Sequence, residues 1–202
     1  KLAAWGNSFA PYAGSNINSA HKTSGEIDYE KLIHNVPNRF WLSEPDAIGP
    51  LFSISHKVNN IDVLINSDVL RMQADVSNLQ RFGLLNNLDT ILEVGGGYGH
   101  LANAFLEMGV CKRYLIIDFD EILEVENRWT ASLKPAYSIH RYQKNGNEMT
   151  AERLKMEGLH LIPVSLLSTF PENIIVNLMI NMNSFCEMTR EQVESYVSAK
   201  YI

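Results

Sequence analysis

The sequence predicts an α/β protein: a parallel sheet with helices on both faces, preceded by an N-terminal arm that is irregular in part and helical in part. Three observations predict it. Strand-like and helix-like segments alternate from residue 90 onward. An apolar run over 90–94 enters the glycine-rich turn Gly95-Gly96-Gly97-Tyr98-Gly99 and then a helical pattern. An acid, Asp118, closes the next apolar run about twenty residues later. Such alternation implies parallel strands joined by right-handed crossovers. Two regions are expected: 1–85 as the arm and a helical cap for the substrate, and 86–202 as the sheet domain.

Residues 1 to about 60 read as irregular, because Pro11, Gly14, Gly25, Pro37, Pro45, Gly49 and Pro50 interrupt regular elements. The aromatics Trp5, Phe9, Tyr12, Tyr29, Phe40 and Trp41 are too many for a disordered stretch. The segment is read as an arm packed on a domain, with short helices such as 28–34. Over 67–85, Val69, Leu70, Met72, Val76, Leu79, Phe82 and Leu84 recur at helical spacing, with Gly83 as a stop signal. After the first strand at 90–94 come a helix over 101–108 closed by Gly109, a second strand at 114–117, and a helix over 121–132 ending near Pro135. A helix over 149–156, a third strand at 159–164 and a fourth at 174–180 follow. The fourth is continuously apolar, as a strand buried on both faces is. Thr189 with Gln192 three residues later is a capping-box pattern that opens a last helix.

Composition narrows the function classes. A chain of 202 residues buries a core without staples, and 46% hydrophobic with 20% charged residues is ordinary for a soluble globular protein. The formal net charge is −6, with no run rich in Lys or Arg, which argues against nucleic acid as a partner. No apolar run reaches the roughly 20 residues of a membrane span, and no signal peptide is legible. Cys111 and Cys186 lie far apart and read as buried thiols of a reducing compartment, not as a disulfide or metal site. A cytoplasmic location is expected.

The chemistry concentrates at the turn. Glycines accept positive φ and let a ligand approach the backbone, and the following helix offers free N–H groups at its start. This is the build of a cofactor turn at the carboxyl end of a first strand. Four glycines in five positions also weaken a fold unless something needs the space. The dinucleotide pattern G-x-G-x-x-G/A fails from Gly95, because its last place falls on His100. It succeeds from Gly97 with Ala102 last only by shifting the turn late into the helix. No Gly-Lys-Ser/Thr follows, so the turn is not a P-loop.

What fits without strain is Glu-x-Gly-x-Gly-x-Gly, with Glu93 on the strand. That resembles the first motif of class I S-adenosylmethionine-dependent methyltransferases, whose sheet is Rossmann-like. The resemblance implies that Gly95, Gly97, Tyr98 and Gly99 contact the amino-acid part of the cofactor. It also implies that Glu93 helps hold the loop and the cofactor's ammonium group. A carboxylate suits a cationic ligand, which a pyrophosphate is not. In both dinucleotide and methyltransferase folds an acid placed like Asp118 binds ribose hydroxyls, and a carboxylate accepts from two vicinal hydroxyls at once. Asp120 is its rival, and reads equally well as a helix N-terminal acid favoured by the dipole. Phe119 is placed to lie against adenine, or in the core.

A closer resemblance covers roughly residues 40–202. The strings Leu92-Glu93-Val94-Gly95-Gly96-Gly97-Tyr98-Gly99 and Tyr114-Leu115-Ile116-Ile117-Asp118, with the segment from Asn177 to Met188, resemble bacterial sugar O-methyltransferases of glycan and polysaccharide assembly. The likeness is specific at the glycine turn and at Ser184-Phe185-Cys186-Glu187-Met188, and looser at Trp41, Glu44-Pro45 and the stretch from Asn66 to Arg71. It implies S-adenosylmethionine as cofactor and a sugar hydroxyl as acceptor. Two departures stand out. Asn177 occupies a place where that family usually has Asp. The chain also ends soon after the fourth-strand helix, so the last three of seven strands are expected to be missing from this sheet.

Methyl transfer is an in-line displacement, and alignment supplies a large part of its acceleration. A sugar hydroxyl is a poor nucleophile, so a base or a metal would help, and the candidates are expected near the carboxyl ends of the strands. Glu187 is the first candidate, as base or acceptor ligand, although a carboxylate just ahead of the Thr189 helix start is almost as good an account of it. Asn183 and Ser184 are candidates for binding acceptor hydroxyls. His100, at the start of the first helix, faces cofactor or substrate, or solvent. The remaining histidines show no ligand spacing, and no metal is expected. Methylation of another small molecule, and a non-catalytic cofactor-binding scaffold, are the competing readings.

Overall fold

The structure is a computed structural model that describes residues 2–4, 28–45, 53–144 and 146–197, the first three as backbone alone. The chain divides into two compact units, one spanning 10–85 and the other built on 86–202 together with the N-terminal strand.

The described part of the first unit, 28–45 and 53–85, is more regular than the sequence reading of an irregular arm predicts. Helix α1 covers 28–33. An antiparallel hairpin follows, β2 (Ile54–Val58) and β3 (Ile61–Ile65), in a stretch read from sequence as irregular. Its turn is Asn59-Asn60, with φ of 50° and 67°. Two left-handed residues in succession match the twist of the flanking strands, and Asn adopts them readily. Helix α2 (Ser67–Arg81) starts where the Asn66 Oδ1 accepts the Val69 N–H at 2.8 Å. It ends earlier than the apolar spacing predicts. Gly83 turns left-handed, and the Gly83 and Leu84 N–H groups close back on the Gln80 and Leu79 carbonyls. Gln73, buried on α2, ties the extended chain to the helix: its amide oxygen accepts from the Leu42 N–H at 2.6 Å, and its Nε2 donates to the Phe40 carbonyl. The stretch 40–42 is therefore held to α2 by specific hydrogen bonds, with Phe40 and Leu42 buried; Trp5, Phe9 and Tyr12 lie outside the described residues.

The second unit is the Rossmann-like α/β fold the sequence predicts. Its strands are β1 (Leu2–Ala4), β4 (Thr90–Val94), β5 (Arg113–Asp118), β6 (Ile139–Arg141), β7 (Gly158–Pro163) and β8 (Leu178–Asn181). They lie in the order β1-β8-β4-β5-β7-β6, with every pairing parallel. Its helices are α3 (His100–Glu107), α4 (Asp120–Ser132), α5 (Ala151–Leu154) and α6 (Arg190–Val197). Ile91, Leu92, Leu115, Ile116, Leu161 and Ile162 are fully buried, as a sheet covered on both faces demands. Helix α3 ends in the same glycine closure as α2, with the Val110 N–H on the Phe105 carbonyl. Helix α6 opens on the expected capping box, the Thr189 N–H reaching Gln192 Oε1 at 2.8 Å and the Gln192 N–H reaching Thr189 Oγ1 at 3.3 Å.

Three expectations need correction. Helix α5 is one turn rather than two. Strand β8 starts at Leu178, because the chain before it runs outside the sheet, with Ile175 77% exposed. Cys111 is buried as expected, but Cys186 is exposed. Asn177 precedes β8 and its Oδ1 accepts from the Asp89 and Thr90 N–H groups at 2.9 and 2.8 Å. It closes the amino end of the sheet, opposite the glycine turn, so the amide in place of Asp has no bearing on chemistry at that turn. Among the described residues no helix is long and apolar enough to cross a membrane.

Candidate functional site

Strand β4 pairs with β5, the next strand in sequence, on one side and with β8, a later one, on the other. The chain reverses its direction of winding at this point, and in open α/β sheets ligands bind in the crevice outside the carboxyl ends of the strands there. The glycine turn leaves β4 at that crevice, and the segment 182–188 leaves β8 beside it.

Each glycine has its own reason. A Cβ on Gly95 would lie 2.2 Å from Ser184 Oγ. One on Gly96 would lie 2.5 Å from Glu126 Oε1 and 2.7 Å from the Ile116 side chain. One on Gly99, at φ +88°, would press on Thr130 Oγ1 at 3.3 Å. At Gly97, with φ +63°, no atom of the described residues lies within 4 Å. Three of the four glycines thus accommodate the protein's own side chains, and only Gly97 faces open space. The space that so many glycines leave is thus filled at three positions by Ser184, Glu126 with Ile116, and Thr130, and does not by itself require a ligand there.

The turn's N–H groups are largely engaged. Gly95 donates to the Ile117 carbonyl at 2.9 Å, Gly99 to the Gly96 carbonyl at 3.0 Å, and Gly96 to Asp118 Oδ2 at 3.1 Å. Asp118 Oδ1 accepts its neighbour Phe119's N–H at 2.8 Å. Asp118 therefore splints the turn onto the end of β5, and a carboxylate with two bonds retains acceptor sites for ribose hydroxyls. Burial raises its pKa above the ordinary carboxylate value, against the lowering effect of those two N–H donors. Asp118→Ala should weaken ligand binding more than Asp120→Ala, by roughly 1.5–3 kcal/mol for lost charge-assisted bonds; calorimetry on the pair of variants gives the ranking, and the reverse order rejects Asp118.

Glu93 is 2% exposed, and its Oε2 accepts from the Tyr114 hydroxyl at 3.0 Å. Burial pushes its pKa up to about 8, with Tyr114's donation opposing and the nearby Asp118 adding. Glu126 escaped the sequence reading. It lies on α4 with no exposed surface, and neither carboxyl oxygen has a partner among the described residues; Thr130 Oγ1, one turn on, has none either. Burial, then Asp118 and Glu93, push Glu126 up to about 10. The signal was present in the sequence: Leu123, Glu126 and Thr130 share one helical face, which puts a carboxylate in the stripe that faces the sheet.

The other candidates divide. Ser184 donates to the Val94 carbonyl at 2.6 Å, and Asn181 Nδ2 donates to the same carbonyl at 2.7 Å, so these two hold the end of β4 and the start of the turn. His100 is 3% exposed rather than solvated, with its Nδ1 3.2 Å from the Tyr98 hydroxyl and its ring close to Trp129, which also meets Tyr98 edge-on. Phe119 is 61% exposed at the head of α4. Asn183 and Glu187 bound the short 3₁₀ turn after β8, and Glu187 is exposed.

No protein-family model matches the sequence, and no curated protein matches it. Among solved structures, a protein-L-isoaspartate O-methyltransferase aligns over 79% of this chain at 15% identity, with a TM-score of 0.34. The chain spans 44% of that protein's length.

Proposed function

We propose that the protein is an S-adenosylmethionine-dependent methyltransferase whose acceptor is a sugar hydroxyl. The observation that carries the reading is the polarity of the turn. A glycine turn ahead of a helix ordinarily attracts an anion. Here the Gly95, Gly96 and Gly99 N–H groups already serve Ile117, Asp118 and Gly96, and Glu93, Asp118 and Glu126 lie against the turn or behind it. A pyrophosphate would find donors engaged and carboxyls nearby. The Asp118 carboxylate suits a ligand bearing a sulfonium and an ammonium group, and Glu93 and Glu126, raised by burial to about 8 and about 10, are groups whose ionised forms such a ligand would favour. The open side of Gly97 supplies the room.

The cofactor, when bound, supplies a methyl group on positively charged sulfur. Asp118 holds the ribose and Phe119 covers the adenine in this reading, while Gly97 and Tyr98 flank the amino-acid end. His100 and Asn183 border the acceptor side, Glu187 takes the acceptor's hydroxyl proton, and Ser184 fixes the turn from which Glu187 acts. The sugar as acceptor rests on the Ser184-to-Met188 likeness. Purified protein should bind S-adenosylmethionine and not NAD in calorimetry. Tight NAD binding with no response to S-adenosylmethionine rejects the proposal.

A further inference from the structure

We propose that binding of a positively charged ligand at the glycine turn is coupled to release of a proton from Glu126, the buried carboxyl against which Gly96 packs. The inference rests on the cofactor reading above and adds to it a residue and a linkage. Its basis is geometric. A Cβ at position 96 would lie 2.5 Å from Glu126 Oε1, so the carboxyl packs directly against the backbone of the glycine turn, beside Ile116. The carboxyl is fully buried and without a hydrogen-bond partner among the described residues. An unpartnered buried carboxylate is expensive unless it takes up a proton or gains a counter-charge.

Among the described residues, the charged groups that act on Glu126 are the acids Asp118 and Glu93, and His100 lies buried at the head of α3 beside the turn. Glu93 stands on β4, and Tyr114 and Asp118 on β5. Cys111 acts on Tyr114, and Tyr196 on α6 faces Asp118. No Lys, Arg or His contributes to the shift of Glu93, Asp118 or Glu126. With its pKa raised to about 10, Glu126 keeps its proton at neutral pH until a counter-charge approaches. A group raised in this way contributes stability that is complete below the ordinary carboxylate range and is lost as the pH climbs toward the folded-state value. A sulfonium or ammonium above Gly97 supplies the missing counter-charge, the ionised form becomes the favoured one, and the proton passes to solvent.

The test is calorimetry of the purified protein with S-adenosylmethionine in two buffers of unlike ionisation enthalpy, at several pH values between 7 and 9. Adenosine, which has the base and ribose without the positive charge, is titrated in parallel. The expected result is release of up to about one proton per S-adenosylmethionine and none with adenosine. The dissociation constant should tighten by up to about tenfold per pH unit. In Glu126→Gln the release should fall by most of a proton and the pH slope should flatten. The ligand's own ammonium contributes equally to both proteins and cancels in the difference. Equal proton release by wild type and variant overturns the inference. If the variant does not fold, equal release by S-adenosylmethionine and adenosine in the wild type overturns it instead. Binding without proton release rejects the linkage alone; failure to bind S-adenosylmethionine at any pH rejects the cofactor reading and the linkage with it.

Discussion

Glu187→Gln is expected to lower turnover on the order of 100- to 10,000-fold while leaving affinity for S-adenosylmethionine near wild type. Gln keeps the shape and hydrogen-bonding capacity of the side chain but cannot accept a proton. Glu187 ends the 3₁₀ turn that follows β8, exposed at the carboxyl end of the sheet. Ser184, at the other end of that 3₁₀ turn, holds the Val94 carbonyl beside the glycine turn. Replacing the proposed base should therefore leave the glycine turn in place. A rise in the Michaelis constant with turnover intact would make Glu187 an acceptor ligand instead. The capping box of α6 is complete in Thr189 and Gln192 without Glu187, so a fall in melting temperature is not expected. Steady-state kinetics and one thermal melt separate these outcomes.

Gly97→Val should abolish detectable binding of S-adenosylmethionine, with at least about a hundredfold loss, while the protein still folds. Its side chain would enter the open space beside the turn, where among the described residues no atom lies within 4 Å of the added Cβ. At φ +63° a β-branched residue is strained by roughly 1–3 kcal/mol, which a domain of this size tolerates. Gly96→Ala should do the reverse. Its Cβ would collide with Glu126 and Ile116, and overpacking of that kind costs about 1–3 kcal/mol, so the melting temperature falls. Binding measured by calorimetry and stability measured by thermal melt should part company across the two variants. Normal binding by Gly97→Val would mean that the turn does not approach the ligand closely.

The parallel sheet was legible because buried strands such as Ile91-Leu92 and Leu115-Ile116-Ile117 are continuous apolar runs, and because Gly83 and Gly109 stop helices by a local mechanism. The capping box at Thr189 is equally local. What sequence reading missed depends on partners distant in the chain. Strand β6 has three residues, too few for any period to register, and its place is set by pairing with β7. The hairpin 54–65 was hidden by its proline-rich approach, although Asn59-Asn60 carries a turn signal. At the site, Glu93, Asp118 and the glycines were readable from their order. The place of Glu126 in the sheet-facing stripe of α4 was readable, but its packing against Gly96 and the engagement of Ser184 with Val94 were not, because each contact is made with an element more than twenty residues away in sequence.

The packing of the glycine turn bears on how this site would age. In a lineage that abandoned the ligand, Gly95, Gly96 and Gly99 would persist, because Ser184, Glu126 and Thr130 would still press against them. Gly97 alone would be released from selection on space, held only by its backbone angle, for which Asn serves nearly as well. A glycine string in a descendant sequence therefore records the architecture, not the activity. If the proposed function holds, residue 97 is where a ligand-binding descendant and one that had lost the ligand would first diverge.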